Sequence, residues 1–322
     1  MKKILRVQSL KKYFPIYGGL LSREIGQVKA VDDVTFDINE GEILGLVGES
    51  GCGKTTVGRM TIRLLEPTSG KIFFEETNLL SLKGKELATI RPKFQIIFQD
   101  PYSSLNPRFT VERVIGEALS VHGLAQGNEL REKIETLMEK VGLSKMYLKR
   151  FPHEFSGGQR QRISIARALA LNPKYIVCDE PVSALDVSIQ AQIINLLQSL
   201  QKEDNLSLLF ISHDLNVVKH LSQRTAVMYL GKIVEMAPTE LLNRKAAHPY
   251  TQALLASKPS LDPTNRKRFQ PLQGDVPSPI SPPSGCHFHP RCPKAEDRCK
   301  TEIPRQIELE EGHMVNCHIY NE

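Results

Sequence analysis

The chain has 322 residues, of which 40% are hydrophobic and 24% are charged, a balance typical of a folded globular protein with one large core and an accessory piece. It contains no apolar run near the roughly 18–20 residues that a membrane-spanning helix needs, and its first residues lack a signal-type apolar stretch, so we expect a protein of the cytoplasm. The formal net charge of +6 comes without a block of like charges, which argues against a nucleic-acid-binding arm.

Short β-type runs alternate with amphipathic helical stretches up to about residue 235. The strand candidates lie at 42–48, 93–100, 174–180 and 206–213. This alternation predicts an α/β fold with a mainly parallel sheet covered by helices on both faces. Because ligands of such sheets bind at the carboxyl ends of the strands, the residues there are the first candidates for a functional site.

Two further regions interrupt this pattern. Between about 83 and 156 the apolar residues recur at helical spacing, for example within 130–141, which predicts an inserted helical lobe. From about residue 237 prolines become frequent, the periodicity fades and cysteines appear. We therefore predict two domains, a main domain at 1–236 that contains the lobe and a small C-terminal module at 237–322.

The segment after the first strand candidate fits the phosphate-loop pattern G-x-x-x-x-G-K-[ST]. Its glycines let successive backbone N–H groups surround a phosphate, and the helix that follows adds the positive end of its dipole. We expect Lys54 to reach the β- and γ-phosphates of a nucleotide and the Thr55 hydroxyl to bind Mg²⁺. The predicted nucleotide-binding residues here are Gly48, Glu49, Ser50, Gly51, Cys52, Gly53, Lys54, Thr55 and Thr56.

A second element of a phosphate site lies at the end of the strand candidate at 174–180, where Asp179 and Glu180 follow an apolar run. We expect the Asp179 carboxylate to join the ligands of Mg²⁺ and Glu180 to polarise the attacking water. Proton abstraction or water orientation by such a group is worth about 10²–10⁴-fold in rate.

Residues 155–159, Phe-Ser-Gly-Gly-Gln, resemble the signature motif of ABC-type ATPases, with phenylalanine where leucine is commoner. Gln99 resembles the Q-loop of that family, residues 183–186 its D-loop, and His213 its switch histidine. These motifs stand in the family's order over about 5–235. The resemblance implies the P-loop ABC ATPase fold, with a mainly parallel core sheet, an antiparallel β subdomain and a helical lobe.

The same resemblance implies roles for individual residues. ATP is expected as substrate, with Mg²⁺ held by Thr55, Gln99 and Asp179. An aromatic residue near the amino terminus, Phe14 or alternatively Tyr13, is expected to stack on adenine. The expected catalytic residues are Lys54, Gln99, Glu180 and His213. Asp186 is expected at a dimer contact, and the residues expected to face ATP held by a second subunit are Phe155, Ser156, Gly157, Gly158 and Gln159.

Three further segments narrow the resemblance to one branch of the family. Residues 100–108, 248–257 and 274–293 are similar to those of importers of oligopeptides, dipeptides and nickel. That branch implies a second ATPase subunit, usually a paralogue, two permease subunits and, indirectly, an extracellular peptide-binding protein. The chain is then expected to be peripheral at the cytoplasmic face of the cell membrane, without binding nucleic acid.

An ATPase that powers peptide import is the main interpretation, and it leaves alternatives open. Nickel importers belong to the same branch, and a lipid or drug transporter is a more distant possibility. Other ABC-type ATPases act on nucleic acid or ribosomes, but the long coiled coils or second ATPase domain usual in them are not visible in this sequence. The sequence separates neither peptide from nickel cargo nor a homodimer from a heterodimer.

Four cysteines of the C-terminal module, Cys286, Cys292, Cys299 and Cys317, are spaced C-x₅-C-x₆-C-x₁₇-C. Four thiolates satisfy the ligand count of Zn²⁺ or of a [4Fe–4S] cluster, although the C-x₂-C pair of common zinc sites is missing. The resemblance to importer subunits with this pattern favours the [4Fe–4S] cluster, with Zn²⁺ as the alternative and four packed thiols as the third interpretation. Such a metal is expected to staple a module too small and proline-rich for a good core of its own.

Overall fold

The structure is a computed structural model that describes residues 2–18, 22–256 and 274–321. The predicted domain limits at Met1 and Glu322, and Ser257 at the end of the importer-like segment 248–257, lie outside the described residues. The chain forms two compact units. The first unit consists of Met1–Ile4, Asn39–Glu42 and Ser81–Ile211, and the second of Leu5–Ile38, Ile43–Leu80 and Ser212–Glu322.

The described residues contain strands and helices in frequent alternation. The strands are β1 (Lys3–Gly18), β2 (Arg23–Asn39), β3 (Ile43–Val47), β4 (Ser69–Phe74), β5 (Thr77–Asn78), β6 (Phe94–Ile97), β7 (Tyr175–Asp179), β8 (Ser207–Ser212), β9 (Arg224–Tyr229), β10 (Lys232–Pro238), β11 (Gln306–Glu310) and β12 (His313–Asn316). The helices are α1 (Lys54–Thr61), α2 (Gly84–Ile90), α3 (Pro101–Ser104), α4 (Val111–Val121), α5 (Gly127–Lys140), α6 (Gly157–Leu169), α7 (Val187–Asp204), α8 (Leu215–Leu221), α9 (Thr239–Lys245), α10 (Pro249–Ala256) and α11 (Arg298–Thr301). None of these helices has the length and hydropathy to cross a membrane.

The first unit is built on parallel strands in the order β8-β7-β6, with Phe94 opposite Tyr175 and Asp179 opposite Ile211. Both β7 and β8 are buried along their whole length, the pattern of parallel strands covered on both faces. Helices α4, α5 and α6 pack on one another, and the helical spacing predicted within 130–141 belongs to α5. The predicted lobe at 83–156 also contains β6, so this stretch is not helical throughout.

The second unit contains two sheets. One is antiparallel in the order β2-β1-β4-β5, with Leu5 opposite Phe74, and it matches the expected antiparallel β subdomain. In the other, β3 pairs with β9 in parallel, and the remaining strands follow antiparallel in the order β9-β10-β12-β11. Strands β9 and β10 lie on either side of Gly231.

The C-terminal strands β11 and β12 are part of this second sheet. Strand β12 pairs directly with β10, placing Val315 opposite Glu235. The Glu235 carboxylate is 1% exposed, and it accepts hydrogen bonds from the N–H groups of Ala247 and His248 at 2.7 and 2.9 Å. His313 Nε2 lies 2.8 Å from the same carboxylate. A buried carboxylate with these partners ties the C-terminal residues to β10 by polar contacts as well as by strand pairing.

The structure does not support the predicted [4Fe–4S] cluster, nor its Zn²⁺ alternative, at Cys286, Cys292, Cys299 and Cys317. All four cysteines lie among the described residues, where no group of three or more His, Cys, Asp or Glu side chains is placed to hold a metal ion. All four are free thiols. Burial raises the pKa of Cys286 to about 11 and also raises the pKa of Cys292 and Cys317, so that these side chains are neutral thiols when no metal is bound. Packed thiols are the interpretation that fits, and Cys317 packs in a small core with Ala247 and Val315.

Candidate functional site

The phosphate loop joins β3 to α1 in the second unit, as its sequence pattern predicts. Strand β3 is buried throughout, and the loop that leaves it turns sharply at glycines before the helix begins. Gly53 caps α1 with a φ of 106°, and a Cβ atom there would lie 2.1 Å from the carbonyl oxygen of Ala30. Both the backbone angle and the lack of space therefore require glycine at this position.

Lys54 is held inside the loop, although it carries a charge. Its side chain is buried, and Nζ donates hydrogen bonds to the carbonyl oxygens of Gly48 at 2.8 Å and Glu49 at 3.0 Å. The ammonium thus lies at the start of α1, where the helix dipole also favours an anion. Thr55 and Thr56 occupy the first turn of the helix and are half-buried. This arrangement is suited to binding a phosphate group.

Cys52 belongs to the packing of the loop. The residue is 2% exposed, and its carbonyl oxygen accepts a hydrogen bond from the Gly231 N–H at 3.0 Å. Burial raises the pKa of its thiol, so the thiol stays neutral. Cys52 is therefore a packed residue of the loop, whereas Ser50 and Gly51 before it are exposed.

The two aromatic candidates for adenine stacking lie side by side on β1, but their side chains differ. The Tyr13 hydroxyl donates a hydrogen bond to the Asp32 carboxylate on β2, and burial raises the pKa of that hydroxyl. Phe14 has no such polar anchor, and 36% of its surface is exposed, with Lys12 Nζ 5.0 Å from the ring centre. The geometry leaves the Phe14 ring more accessible to a ligand.

In the first unit, Glu180 of the acidic pair at the end of β7 contacts Gln99, the residue expected in the Q-loop. Asp179 is 2% exposed, and Glu180 follows it with a φ of 47°. The Glu180 N–H donates to the Ile211 carbonyl at 3.1 Å, and Gln99 Nε2 donates to a Glu180 carboxylate oxygen at 3.3 Å. Strands β6 and β7 are parallel, which places Gln99 and Glu180 at the same sheet edge.

The signature residues form the beginning of α6, with Ser156 as its N-cap. The Ser156 hydroxyl accepts a hydrogen bond from the Gln159 N–H at 3.4 Å, and the Gln159 side chain accepts one from the Ser156 N–H at 3.0 Å. Phe155 is buried edge-on against Tyr147, with ring centres 5.7 Å apart. A Cβ atom at Gly158 would lie 2.5 Å from Ile189 Cγ2 on α7. The hydroxyl and two glycines of the motif thus serve a tightly packed helix start whose first residues, Ser156 and Gly157, are exposed.

The remaining candidates lie at two other helix starts. Asp186 is the N-cap of α7 and is exposed, and the next residue, Val187, exposes 82% of its surface. His213 is exposed in the second unit, directly before the N-cap of α8, Asp214, which accepts a hydrogen bond from the Asn216 N–H at 2.7 Å. The structure therefore groups Gln99, Asp179, Glu180, Asp186 and the signature in the first unit, and the phosphate loop, Tyr13, Phe14 and His213 in the second.

Comparison with known proteins now identifies the family. The ABC transporter family model matches residues 31–183, and the model for the C-terminal region of oligopeptide/dipeptide transporters matches residues 234–299. The oligopeptide transport ATP-binding protein AppF of Bacillus subtilis is 52% identical over 322 residues, which cover 99% of this chain and 98% of AppF. The chain belongs to the ABC transporter family of ATP-binding proteins. A probable peptide ABC transporter ATP-binding protein, y4tS of Sinorhizobium fredii, is 50% identical to this ABC ATPase. The match covers 98% of this chain and 90% of y4tS.

Solved structures confirm the ABC ATPase fold. The dimeric post-hydrolysis state of the ATP-binding cassette MJ0796, bound to ADP and Pi, matches with a TM-score of 0.65 and 28% sequence identity. The match covers 73% of this chain and 98% of that one. The rest of this chain lies outside the match.

Two residues at the phosphate loop escaped the sequence analysis. Arg291 and Tyr250, both C-terminal, contact Glu49 in the loop. No local pattern signals these contacts, because 242 residues separate Arg291 from Glu49. The sequence offers one hint of them, the Glu49 carboxylate, because a phosphate would repel a carboxylate in the phosphate loop. A cationic partner elsewhere in the chain would explain it.

Proposed function

We propose that this ABC ATPase is the ATP-hydrolysing subunit of an importer of oligopeptides or dipeptides. The observation that carries the proposal is 50–52% identity over nearly the whole chain to relatives named as oligopeptide and peptide transport proteins. The match of residues 234–299 to the C-terminal region of oligopeptide/dipeptide transporters supports the same conclusion. That match also supports the proposed division into an ATPase domain at 1–236 and an accessory module at 237–322.

In the proposed site, the phosphate loop binds the phosphates of ATP, and Lys54 neutralises their charge. The hard oxygen ligands that Mg²⁺ prefers are present in Thr55, Asp179 and Gln99, so these residues fit that ion. The ion, when bound, screens the charge of the phosphate oxygens. Phe14, rather than Tyr13, stacks on adenine, because its ring is more exposed and has no hydroxyl anchor.

Hydrolysis in this proposal depends on Glu180 and His213. Glu180 orients and polarises the attacking water, and its hydrogen bond with Gln99 holds the carboxylate at the sheet edge. His213 contacts the γ-phosphate and stabilises the charge that develops on it. Catalysis is thus mainly positioning and electrostatic stabilisation, as is usual for phosphoryl transfer.

The proposed assembly contains a second ATPase subunit, a paralogue, whose bound ATP faces residues 155–159 of this chain. The exposed Ser156 and Gly157 at the start of α6, and the exposed Asp186 and Val187, support a contact with that subunit. Two permeases, supplied by an extracellular peptide-binding protein, complete the importer. The chain then lies peripherally at the cytoplasmic face of the cell membrane.

Uptake into reconstituted vesicles tests this function. The chain is co-expressed with a second ATPase subunit and two candidate permeases, and the purified complex is assayed with labelled peptides and with Ni²⁺. We expect ATP-dependent peptide uptake that the Lys54→Ala variant abolishes. Uptake of Ni²⁺ alone would move the chain to the nickel branch, and binding to nucleic acid or ribosomes without any permease would contradict a transport function.

A further inference from the structure

The C-terminal residues reach the phosphate loop through an ion pair. The Arg291 guanidinium donates from Nη1 to one Glu49 carboxylate oxygen at 2.7 Å and from Nη2 to the other at 3.1 Å. Only 5% of the Arg291 side chain is exposed. A bidentate ion pair of this kind is stronger and more directional than a single exposed salt bridge. Glu49 is the second residue of the loop, so Arg291 fixes the side chain of a residue within the phosphate cradle.

A second C-terminal residue fixes the backbone of the same loop residue. The Glu49 N–H donates a hydrogen bond to the Tyr250 hydroxyl at 2.9 Å. Tyr250 is fully buried on α10, and its ring packs against Tyr229 and Phe288 with centre distances of 4.7 and 5.4 Å. Buried aromatic rings in mutual contact have few alternative positions, so the hydroxyl is held in place.

The same aromatic cluster also orients Arg291. Phe288 is 1% exposed and begins the turn His289–Arg291, while its ring lies edge-on against Tyr229 at 5.2 Å. The Arg291 guanidinium lies over the Tyr229 ring at 5.8 Å and is 3.5 Å from its hydroxyl. The two groups that bind Glu49 are therefore supported by one cluster of C-terminal and β9 residues.

Glu49 connects this support to Lys54. Its carbonyl oxygen accepts a hydrogen bond from Lys54 Nζ at 3.0 Å, its N–H is bound by Tyr250, and its carboxylate by Arg291. We propose that Arg291 and Tyr250 are positioning residues of the phosphate loop, through which the C-terminal module sets the affinity of the chain for ATP. This inference rests on the proposed ATP site at Gly48–Thr55.

The physical consequence is that the affinity for ATP falls while the maximal rate of hydrolysis changes little. When Arg291 is lost, the loop samples positions in which its N–H groups no longer converge on a phosphate. The apparent dissociation constant then rises in proportion to the loss of the competent position, whereas bound ATP restores the loop once it is saturating. Neither residue touches the proposed reacting groups in this scheme, so the maximal rate changes little.

Nucleotide binding by the full-length chain tests the inference. Binding of the fluorescent analogue TNP-ATP to the chain is measured at fixed Mg²⁺, and KM and kcat for ATP hydrolysis are measured on its complex with the second ATPase subunit. For Arg291→Gln we expect the dissociation constant and KM to rise about tenfold, since a charged hydrogen-bonded pair is lost. We expect kcat to stay within about threefold of the parent chain.

Graded variants separate positioning from a general effect of charge. Arg291→Lys keeps the charge but not the bidentate geometry, so we expect an intermediate rise in the dissociation constant. Tyr250→Phe keeps the ring and removes the acceptor, and we expect about a threefold rise from the loss of one neutral hydrogen bond. In a Glu49→Gln background, Arg291→Gln should have little further effect, because its partner is already changed.

Arg298→Gln is the matched control within the C-terminal module. The Arg298 guanidinium donates to the Asn321 and His318 carbonyl oxygens at 2.9 and 2.7 Å, and its hydrogen bonds do not reach the phosphate loop. We expect Arg298→Gln to lower the thermal midpoint without changing the dissociation constant for TNP-ATP. Equal weakening of binding by Arg298→Gln and Arg291→Gln would overturn the inference, because general loosening would then explain both.

Lys54→Ala distinguishes the inference from the site on which it rests. If Lys54→Ala abolishes binding and Arg291→Gln leaves the dissociation constant unchanged, the ATP site stands and the positioning role is wrong. If Lys54→Ala itself leaves binding unchanged, the proposed ATP site is wrong and the positioning role with it. A rise for Arg291→Gln that disappears in the Glu49→Gln background supports the inference.

Discussion

Two helices of this ABC ATPase begin at glycine-rich segments, and their amino ends are completed in different ways. Before α1, the loop residue Glu49 is bound by Arg291 and Tyr250, which come from the far end of the chain. At α6, the described hydrogen bonds of Ser156 and Gln159 are local, and the first residues are exposed. The phosphate loop is thus supported by contacts within its own chain, whereas the first residues of α6 stay exposed, as the proposed contact with a second subunit would require.

The largest expected effect is a loss of ATP hydrolysis that leaves the starts of α1 and α6 unchanged. Glu180→Gln removes the group proposed to act on water and leaves the phosphate loop and α6 intact. We expect turnover to fall by about 10²–10⁴-fold, with TNP-ATP binding unchanged. Single-turnover hydrolysis assays and binding titrations measure the two effects. The matched control is Glu203→Gln, an exposed acid on α7 in the same unit, and an unchanged rate in Glu180→Gln would refute the role of Glu180.

A pair of glycine variants tests how tightly the phosphate loop is packed. Gly53→Ala places a Cβ atom 2.1 Å from the Ala30 carbonyl at a φ of 106°, whereas Gly51→Ala, at a φ of 78°, meets no atom within 4 Å. We expect Gly51→Ala to lower the free energy of unfolding by about 1–2 kcal/mol through backbone strain alone. Gly53→Ala should cost more and abolish TNP-ATP binding. Denaturant unfolding and binding titrations compare them, and equal effects would show that the close approach to Ala30 is unimportant.

The exposed start of α6 should respond differently from the phosphate loop. Ser156→Ala removes the N-cap of α6, and we expect the free energy of unfolding to fall by about 1 kcal/mol. Turnover should fall with it, while the affinity of the chain for TNP-ATP stays the same, because the proposed role of Ser156 is toward ATP in the other subunit. Ser144→Ala, which removes the hydroxyl that accepts from the Met146 N–H at 3.3 Å, is the control for stability without a signature role. Weaker TNP-ATP binding in Ser156→Ala would contradict the comparison.

The smallest expected effect concerns pH and the cluster behind the phosphate loop. Burial lowers the pKa of His248 to about 3, and its Nδ1 accepts a hydrogen bond from the Tyr250 N–H at 3.1 Å. Because the unfolded state, with a histidine pKa near 6.5, binds this proton first, stability is lost as the pH falls from about 6.5 toward 3. His248→Asn should reduce that slope by up to about 1.4 kcal/mol per pH unit.

Urea unfolding at a series of pH values measures this slope. The matched control is the same substitution at an exposed histidine, His122→Asn. An identical slope in His248→Asn and the parent chain would mean that His248 does not remain neutral in the folded protein.

Much of the proposed site could be predicted from the sequence because its parts are local. A glycine-rich turn between a buried strand and a helix needs particular residues at fixed offsets, and the strand β7 ends in acids at the sheet edge. The prediction was weaker where the same residue types suit several structures. Four cysteines satisfy a metal's ligand count, but in the folded chain they are free thiols, two of them buried and two half-buried.

The sequence by itself determined the phosphate loop, the acidic strand end and the signature helix, since each depends on residues that are neighbours along the chain. Only the tertiary structure decided that β12 pairs with β10 and that Arg291 binds Glu49. Those contacts join residues far apart in sequence, and the rings of Tyr229 and Phe288 pack together beside Arg291. Packing of that kind follows from the whole fold, so no local pattern announces it.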